Sequence, residues 1–379
     1  MSRMAPLTHP SKPSQNKARS RLPYIASALA ILLVVTFAYG ITHSTSLSGL
    51  LSGGALESGT SPAPDFKGIV DWENSSPLTL SDLKGKVVLV DFWTYSCINC
   101  QNTFPYLRKW YEAYKDQGLV IVGVHSPEFD FEKNISNVRQ AVKHYNVLWP
   151  VAVDSNHETW DAYKNQYWPA EYLIDKNGIV RDIHLGEGNY DLTEKSIRTL
   201  LAETGHKVGA AGAYAGPTPQ GNKTAELYAG AGRGLNIPSS HTNVSFDYVD
   251  PNSYSQNYNQ ANAIYWNGFW NIGSEFAEHT RNSSPWQDYV AVNYGATEVV
   301  MVSANSGSPV IAYVTIDGQN VPASDAGTDL KYDTTGQSYI LIDRSDLFSI
   351  IKHSAFERHI IKVSPIDKGF RLFTFDFNG

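Results

Sequence analysis

Cysteine is the scarcest chemically active residue here: the 379 residues hold only two, Cys97 and Cys100, in a single Cys-x-x-Cys. That rules out a disulfide framework, and a tetrahedral zinc site on this pair lacks the second cysteine pair that would complete it. A chain free of stray thiols suits an oxidising compartment. Excess positive charge is also missing. The formal net charge is −7, which gives no reason to expect nucleic acid as a partner. Charged residues make up 18% against 42% hydrophobic, so the composition is globular rather than disordered.

Acidic residues are absent until Glu57, whereas Arg3, Lys12, Lys17, Arg19 and Arg21 precede Pro23. No charge occurs from Ile25 to Ile41. A basic head followed by an apolar run is the pattern of a membrane-targeting segment, and a helix from Leu22 to Ile41 would span about 30 Å. The expectation is a cytoplasmic head over 1–23, a single-pass transmembrane signal anchor over 24–41 and a flexible tether over 42–63. The alternative is a signal peptide cleaved after Ala38-Tyr39-Gly40. Either way the remainder lies outside the cytoplasm, and in the anchor reading it is held at the cell membrane.

Residues 64–202 alternate strand and helix signals. Val87-Val88-Leu89-Val90 and Leu119–Val124 read as strands buried on both faces. Phe104, Leu107, Tyr111 and Tyr114 recur at helical spacing, as do Ile135, Val138, Val142 and Tyr145. Glu171–Asp175 and Ile179–Leu185 form a predicted hairpin through Asn177-Gly178, the residues of a type I′ turn. An amphipathic helix over Asp191–Thr204 closes an α/β domain. The small residues and prolines of 203–223 read as a linker. In 224–379 the helical period vanishes. Pro309–Ile316 alternates and then turns at Asp317-Gly318. The tail sets Phe373, Phe375 and Phe377 on one face and Thr374 and Asp376 on the other. This pattern predicts an all-β sandwich of the jelly-roll kind.

The chemistry concentrates in KVVLVDFWTYSCINCQNTF, a strand and short loop that run into a helix opened by Cys97. Unpaired N–H groups and the helix dipole at that end favour a thiolate, and Cys100, one turn on, can resolve a mixed disulfide. An inert disulfide is the bland alternative. Its loop is too small for much chain-entropy stabilisation, so thiol–disulfide exchange is the favoured reading.

VDFWTYSCINC, the preceding LSDLKGK and the later YWPAEYLIDKNG resemble the TlpA/ResA-like, extracytoplasmic branch of thioredoxin-fold proteins. The resemblance implies a redox-active Cys97–Cys100 disulfide with no further cofactor or metal. It also implies a cis-proline at Pro169 that presents backbone to a substrate strand, and a buried carboxylate, Asp91, that accepts the proton of Cys100. Burial among apolar strand residues should raise the pKa of Asp91. Glu128 is a second candidate for that role, and Pro105 matches the kink proline in the helix. Peroxiredoxins share the fold and place Thr three residues before the reactive Cys. Thr94 satisfies that spacing, but Val90 stands where their proline belongs.

TAELYAGAG, WNGFWNIGSEFAE, DGQNVP, SYILID and GFRLFTFDFNG resemble the carboxy-terminal part of DipZ-type cytochrome c biogenesis proteins, where a carbohydrate-binding-module-like jelly roll follows a thioredoxin-like domain. Ala225 departs from that pattern, which usually has proline. The single apolar segment departs more, because DipZ proteins carry a multi-helix electron conduit. The resemblance then implies a separate CcdA-like membrane electron donor. Trp266, Trp270, Trp286 and Tyr294 would stack on sugars if exposed and fill the core otherwise.

The expected function is thiol-disulfide exchange with protein thiol and disulfide substrates, apocytochrome c among them by family resemblance. An oxidase or isomerase with the same dithiol stays open, as does an envelope protein whose sandwich binds glycan or a protein partner.

Overall fold

The computed structural model describes residues 58–59, 61–206, 208–212, 223–234, 243–250 and 262–379. The head, the anchor at 24–41 and most of the tether lie outside the described residues, as does 213–222 of the linker. Among the described residues no helix is long and apolar enough to cross a membrane.

The first domain runs β1 Asp71–Glu73, β2 Val87–Trp93, α1 Ile98–Tyr114, β3 Leu119–His125, α2 Ile135–His144, β4 Val151–Val153, α3 Glu158–Ala162, β5 Ala170–Ile174, β6 Val180–Leu185 and α4 Tyr190–Glu203. Its sheet has the order β1-β4-β3-β2-β5-β6, with β2, β3 and β4 parallel and the others antiparallel. β2 is apolar throughout because both its faces are covered. Val88, Val90 and Phe92 pack with Trp160, Tyr163 and Tyr172, whereas Val87, Leu89 and Trp93 pack with Leu107, Ile197 and Leu201 of the helices. Alternation along the strand therefore puts Asp91 on the α1 side.

The hairpin between β5 and β6 forms, but its turn is not type I′. Only Gly178 has a positive φ, +85°, and Asp175 instead organises the loop, its Oδ1 accepting from the backbone N–H of Asn177 and Ile179. The type I′ geometry occurs later, at Asp317 (φ +50°) and Gly318 (φ +77°). Order also begins before Pro64. The Gly59 and Ala63 N–H groups donate to Val180 and Gly178 carbonyls, so the end of the tether adds to the hairpin edge. Part of the linker packs as well: the Tyr114 hydroxyl donates to the Gly209 carbonyl, and the Ala211 N–H donates to Glu194.

The second domain is wholly antiparallel: β7 Leu227–Tyr228, β8 Ser245–Tyr248, β9 Ile264–Ile272, β10 Ala277–His279, β11 Tyr289–Asn305, β12 Val310–Ile316, β13 Gln319–Asn320, β14 Leu330–Tyr332, β15 Ser338–Ile342, β16 Asp346–Pro365 and β17 Phe370–Asn378. β11 and β16 are long strands that bend through register shifts, not the short strands read from the sequence. Trp266, Trp270 and Tyr294 are buried in its core.

The tail departs from simple alternation. β17 pairs Leu372 with Ser303 and Thr374 with Val302, so Phe373 is bulged out of the ladder. Phe370, Leu372, Phe375 and Phe377 fill the β-domain core. Phe373 turns to the first domain and meets Phe129 and Phe131 at centroid distances of 5.0 and 4.9 Å. Thr374 and Asp376 lie on the face opposite Phe375 and Phe377, as expected, and that face is buried too.

Candidate active site

The loop from β2 delivers Cys97 as the N-cap of α1, and the Cys100 N–H donates to Cys97 Sγ at 3.2 Å. The two sulfurs lie 2.7 Å apart. Glu132 holds the loop from behind. Its Oε1 accepts from the Ser96 hydroxyl (2.5 Å) and N–H (3.3 Å), and its Oε2 accepts from the Phe129 N–H (2.9 Å). Burial raises the Glu132 pKa to about 7. Thr94 Oγ1 lies 3.3 Å from His125 Nε2, and burial lowers that imidazole to about 3, so it is neutral.

Cys97 is 7% exposed and Cys100 fully buried. Both pack in the first domain's core with Trp93, Tyr95 and Phe104, and Ile98, between them in the chain, joins Phe129 to Val300, Val302, Leu347 and Phe373 of the β-domain in a second apolar cluster. A helix-start cysteine was expected to be a stabilised thiolate. Instead burial pushes the Cys97 thiol well above its ordinary value, with the Cys100 sulfur and the charges of Glu128 and Asp376 adding to it. Taking a thiolate out of water opposes what the helix start favours. Cys100 is also raised, by burial first and further by Asp91 and Glu128.

Beneath Cys100, Asp91 is fully buried, and neither carboxyl oxygen has a hydrogen-bond partner among the described residues. Its pKa is raised well above the usual range by burial and then by Glu171. Glu171 is its cross-strand partner between β2 and β5. Burial brings Glu171 to about 7, with Thr193 donating to Oε2 at 3.1 Å. The two carboxyls share one face, and two adjacent buried acids disfavour simultaneous ionisation. Such a pair can hold or release a proton beside Cys100 near neutral pH. Sequence reasoning missed Glu171. Its signal was a lone acid in the apolar strand AEYLI, two residues after Pro169.

The Trp168–Pro169 peptide bond is cis. The Trp168 indole donates to the Ser126 carbonyl at 2.9 Å. Trp168 lines a cleft of about 340 Å³ with Glu128, Tyr228 and Arg233, so the cleft is walled by both domains. Glu128 does not sit under Cys100 as Asp91 does. Its Oε1 accepts from the Tyr228 hydroxyl (2.8 Å) and Arg233 (2.6 Å). The same hydroxyl lies 2.8 Å from Glu226 Oε2, and its single proton can serve only one of the two acids at a time. Burial raises both Glu226 and Asp376; the charges of Asp376 and then Glu128 add to Glu226, and those of Glu128 and Glu187 add to Asp376.

A sequence model of the AhpC/TSA family matches residues 60–183, and one described as "Thioredoxin like C-terminal domain" matches 224–378. Thiol-disulfide oxidoreductase YkuV of Bacillus subtilis is 33% identical over 144 residues, 38% of this chain and 96% of that one. Thiol-disulfide oxidoreductase ResA of the same organism is 31% identical over 185 residues, 49% of this chain and 94% of that one. This chain belongs to the thioredoxin-like thiol-disulfide oxidoreductases. Protein DipZ of Mycobacterium bovis is 39% identical over 277 residues, covering 70% of this chain, and the chain spans 38% of DipZ. As in any thiol-disulfide oxidoreductase, the reacting pair must pass between dithiol and disulfide, and Cys97 and Cys100 are the cysteines present to do so.

Proposed function

We propose that this oxidoreductase works as a reductase of protein disulfides outside the cytoplasm, anchored by residues 24–41 with residues 1–23 in the cytoplasm. The observation that carries the reductive direction is the setting of the sulfurs: both are buried, and the charged groups acting on them are carboxylates. Strong oxidants of this fold stabilise their reduced form. Burial beside acids does the reverse, so the dithiol gives up its electrons readily.

In this reading Cys97 Sγ, as thiolate, attacks a client disulfide. An S–S bond forms between Cys97 and the client as the client's own S–S bond breaks, and one client sulfur leaves and takes up a proton. Asp91, with Glu171 beside it, accepts the proton of Cys100. Cys100 then attacks Cys97 Sγ, forming the Cys97–Cys100 disulfide and releasing the second client thiol. Two electrons pass to the client, and a membrane donor of the CcdA-like kind returns the enzyme to its dithiol. Pro169 presents the backbone against which the client strand lies. Apocytochrome c is the client class we favour, on the likeness to DipZ. Cys100→Ser should accumulate client proteins disulfide-linked to Cys97, released by dithiothreitol. A variant that captures no client above the level of the double Cys97→Ser/Cys100→Ser protein would remove the mechanism.

A second reading concerns the β-rich domain, which we take as a jelly-roll-like sandwich. A cleft of about 770 Å³ there is lined by Trp286, Asn267, Gln319, Asn320 and Gln337. Trp286, unlike the other aromatics singled out in the sequence, is not buried and has φ +68°, a strained conformation for a bulky residue. An aromatic edge with amide side chains suits a glycan or an envelope partner. If this cleft carries the main function, Cys97→Ser will keep the biological effect and Trp286→Ala will lose it.

A further inference from the structure

Away from the dithiol, the irregular stretch of β16 gathers a second set of chemically capable side chains. Its register against β11 passes from Glu357 opposite Ala296 to Lys352 opposite Glu298, so residues between them leave the ladder. In a straight strand His353 and His359 would stand about 20 Å apart. Here their ring centroids are 5.1 Å apart.

One donor atom from each of His353, Glu357 and His359 falls within 4.8 Å of the others. His353 Nδ1 is 3.8 Å from Glu357 Oε2, which is 2.9 Å from His359 Nε2. Asp325, on the short turn after β13, stands outside this cluster of three and braces it, its Oδ2 lying 3.3 Å from His353 Nδ1. Ligand atoms around a tetrahedral zinc-like ion, at bonds of about 2.0–2.1 Å, stand about 3.3 Å from one another. The spacings bracket that value.

The remaining imidazole nitrogens are fixed from outside. His353 Nε2 lies 2.8 Å from the buried Tyr294 hydroxyl. His359 Nδ1 lies 2.7 Å from Asp317 Oδ2, and Asp317 Oδ1 accepts from the Ile360 N–H at 2.9 Å. A carboxylate behind a ligating histidine is the usual outer support of a metal site. His353 is buried, whereas the His359, Glu357 and Asp325 side chains are 24%, 43% and 26% exposed, so the cluster is seated at its base and open at its rim.

We propose that His353, His359 and Glu357 bind a divalent cation of the zinc type, with Tyr294 and Asp317 orienting the two imidazoles. Two imidazoles among the donors select this class over calcium or magnesium, which prefer oxygen alone. Three protein ligands under an exposed rim make an open site whose fourth position is left to solvent, and the ion would pin the excursion of β16.

The test uses the purified full chain, stripped with chelator and with its Cys97–Cys100 disulfide formed so that no thiolate competes for metal. Titration with Zn²⁺ against a chromogenic chelator should give one ion per chain, undisturbed by millimolar Ca²⁺ or Mg²⁺, together with a higher melting temperature. His359→Ala should weaken uptake beyond tenfold. Asp317→Asn, which touches no donor atom, should weaken it about 10–100-fold with the stoichiometry kept. Because His353 is buried, folding of each variant is checked by thiol–disulfide exchange at the distant dithiol. Absence of zinc uptake, uptake unchanged in His359→Ala, or displacement by Ca²⁺ would each overturn the site and leave a histidine–carboxylate hydrogen-bond network.

Discussion

The dithiol has acids on two sides, and the two sets are built differently. Below Cys100, Asp91 and Glu171 belong to one sheet, face each other across β2 and β5, and are buried without a cation. Around Cys97, Glu128 comes from the first domain and Asp376 from the second, in a network with Tyr228, Glu226 and Arg233. Arg233 also lies over the Tyr228 ring at 4.0 Å. In the lower pair Asp91 has no hydrogen-bond partner among the described residues and Glu171 has Thr193 on one oxygen, a setting suited to moving a proton. In the upper set Glu128 is paired with Arg233, while Glu128 and Asp376 still act on Cys97, a setting suited to tuning a potential. A protein can thus use the same side-chain chemistry for two purposes by choosing which acids it leaves unpaired.

The largest expected effect comes from breaking the lower pair. Asp91→Asn should slow turnover of a disulfide substrate by about 10²-fold or more, the range for losing a general base, while single-turnover mixed-disulfide formation by Cys97 changes far less. Equal slowing of both steps would remove Asp91 from proton transfer.

Glu171 gives a pH signature. Its folded-state pKa of about 7 lies above the ordinary 4.5, so between those values the folded chain holds a proton that the unfolded chain has released. Its contribution is full below pH 4.5 and is lost as pH rises through 7. Glu171→Gln should therefore remove about 3 kcal/mol of the stability difference between pH 4.5 and pH 8, as read by denaturant unfolding. His125 acts in the opposite sense, since its depressed pKa withdraws stability as pH falls below 6.5. The comparison is consequently made between variant and parent rather than on the parent alone. An unchanged slope would show that Glu171 is not protonated in the folded state.

The domain junction comes next. Phe373→Ala removes a buried ring from the cluster beside Ile98, and should cost about 3 kcal/mol and speed alkylation of Cys97 several-fold. Alkylation at the parent rate would mean that the β-domain does not limit access. The smallest effect belongs to Asp376→Asn. It should lower the Cys97 pKa and make the couple more oxidising by tens of millivolts, about 1 kcal/mol or so. Thiolate absorbance and redox equilibration with glutathione report both.

Much of the lower site was legible in the sequence, because local patterns encode it. VVLVDFW is a buried strand, and counting alternate positions from Val87 puts Asp91 on the helix side. Cys-x-x-Cys at a helix start needs no tertiary information either. Glu171 was not legible, because its meaning depends on the register of β5 against β2, which no local pattern carries. Phe373 was misplaced for a related reason: one bulge at Val302/Ser303 takes it off the face of Phe375 and Phe377, while Thr374 and Asp376 keep the opposite face. The Asn177-Gly178 turn was mistyped because Asp175 supplies its own hydrogen bonds to the loop, and the preference for type I′ yields to them. The apolar junction at Ile98 and the charge of Asp376 acting on Cys97 are properties of two domains together, and neither domain's sequence states them alone.

The central claim is that burial beside carboxylates makes Cys97–Cys100 an electron donor. Its most direct test is the reduction potential of the pair, equilibrated with glutathione in a soluble form beginning near Ser61 and containing both domains. A value of about −220 mV or lower, toward that of thioredoxin, is the predicted result. A value near about −120 mV, that of a strong disulfide oxidant, would contradict it and turn the assignment to oxidative folding, with the cytochrome link withdrawn.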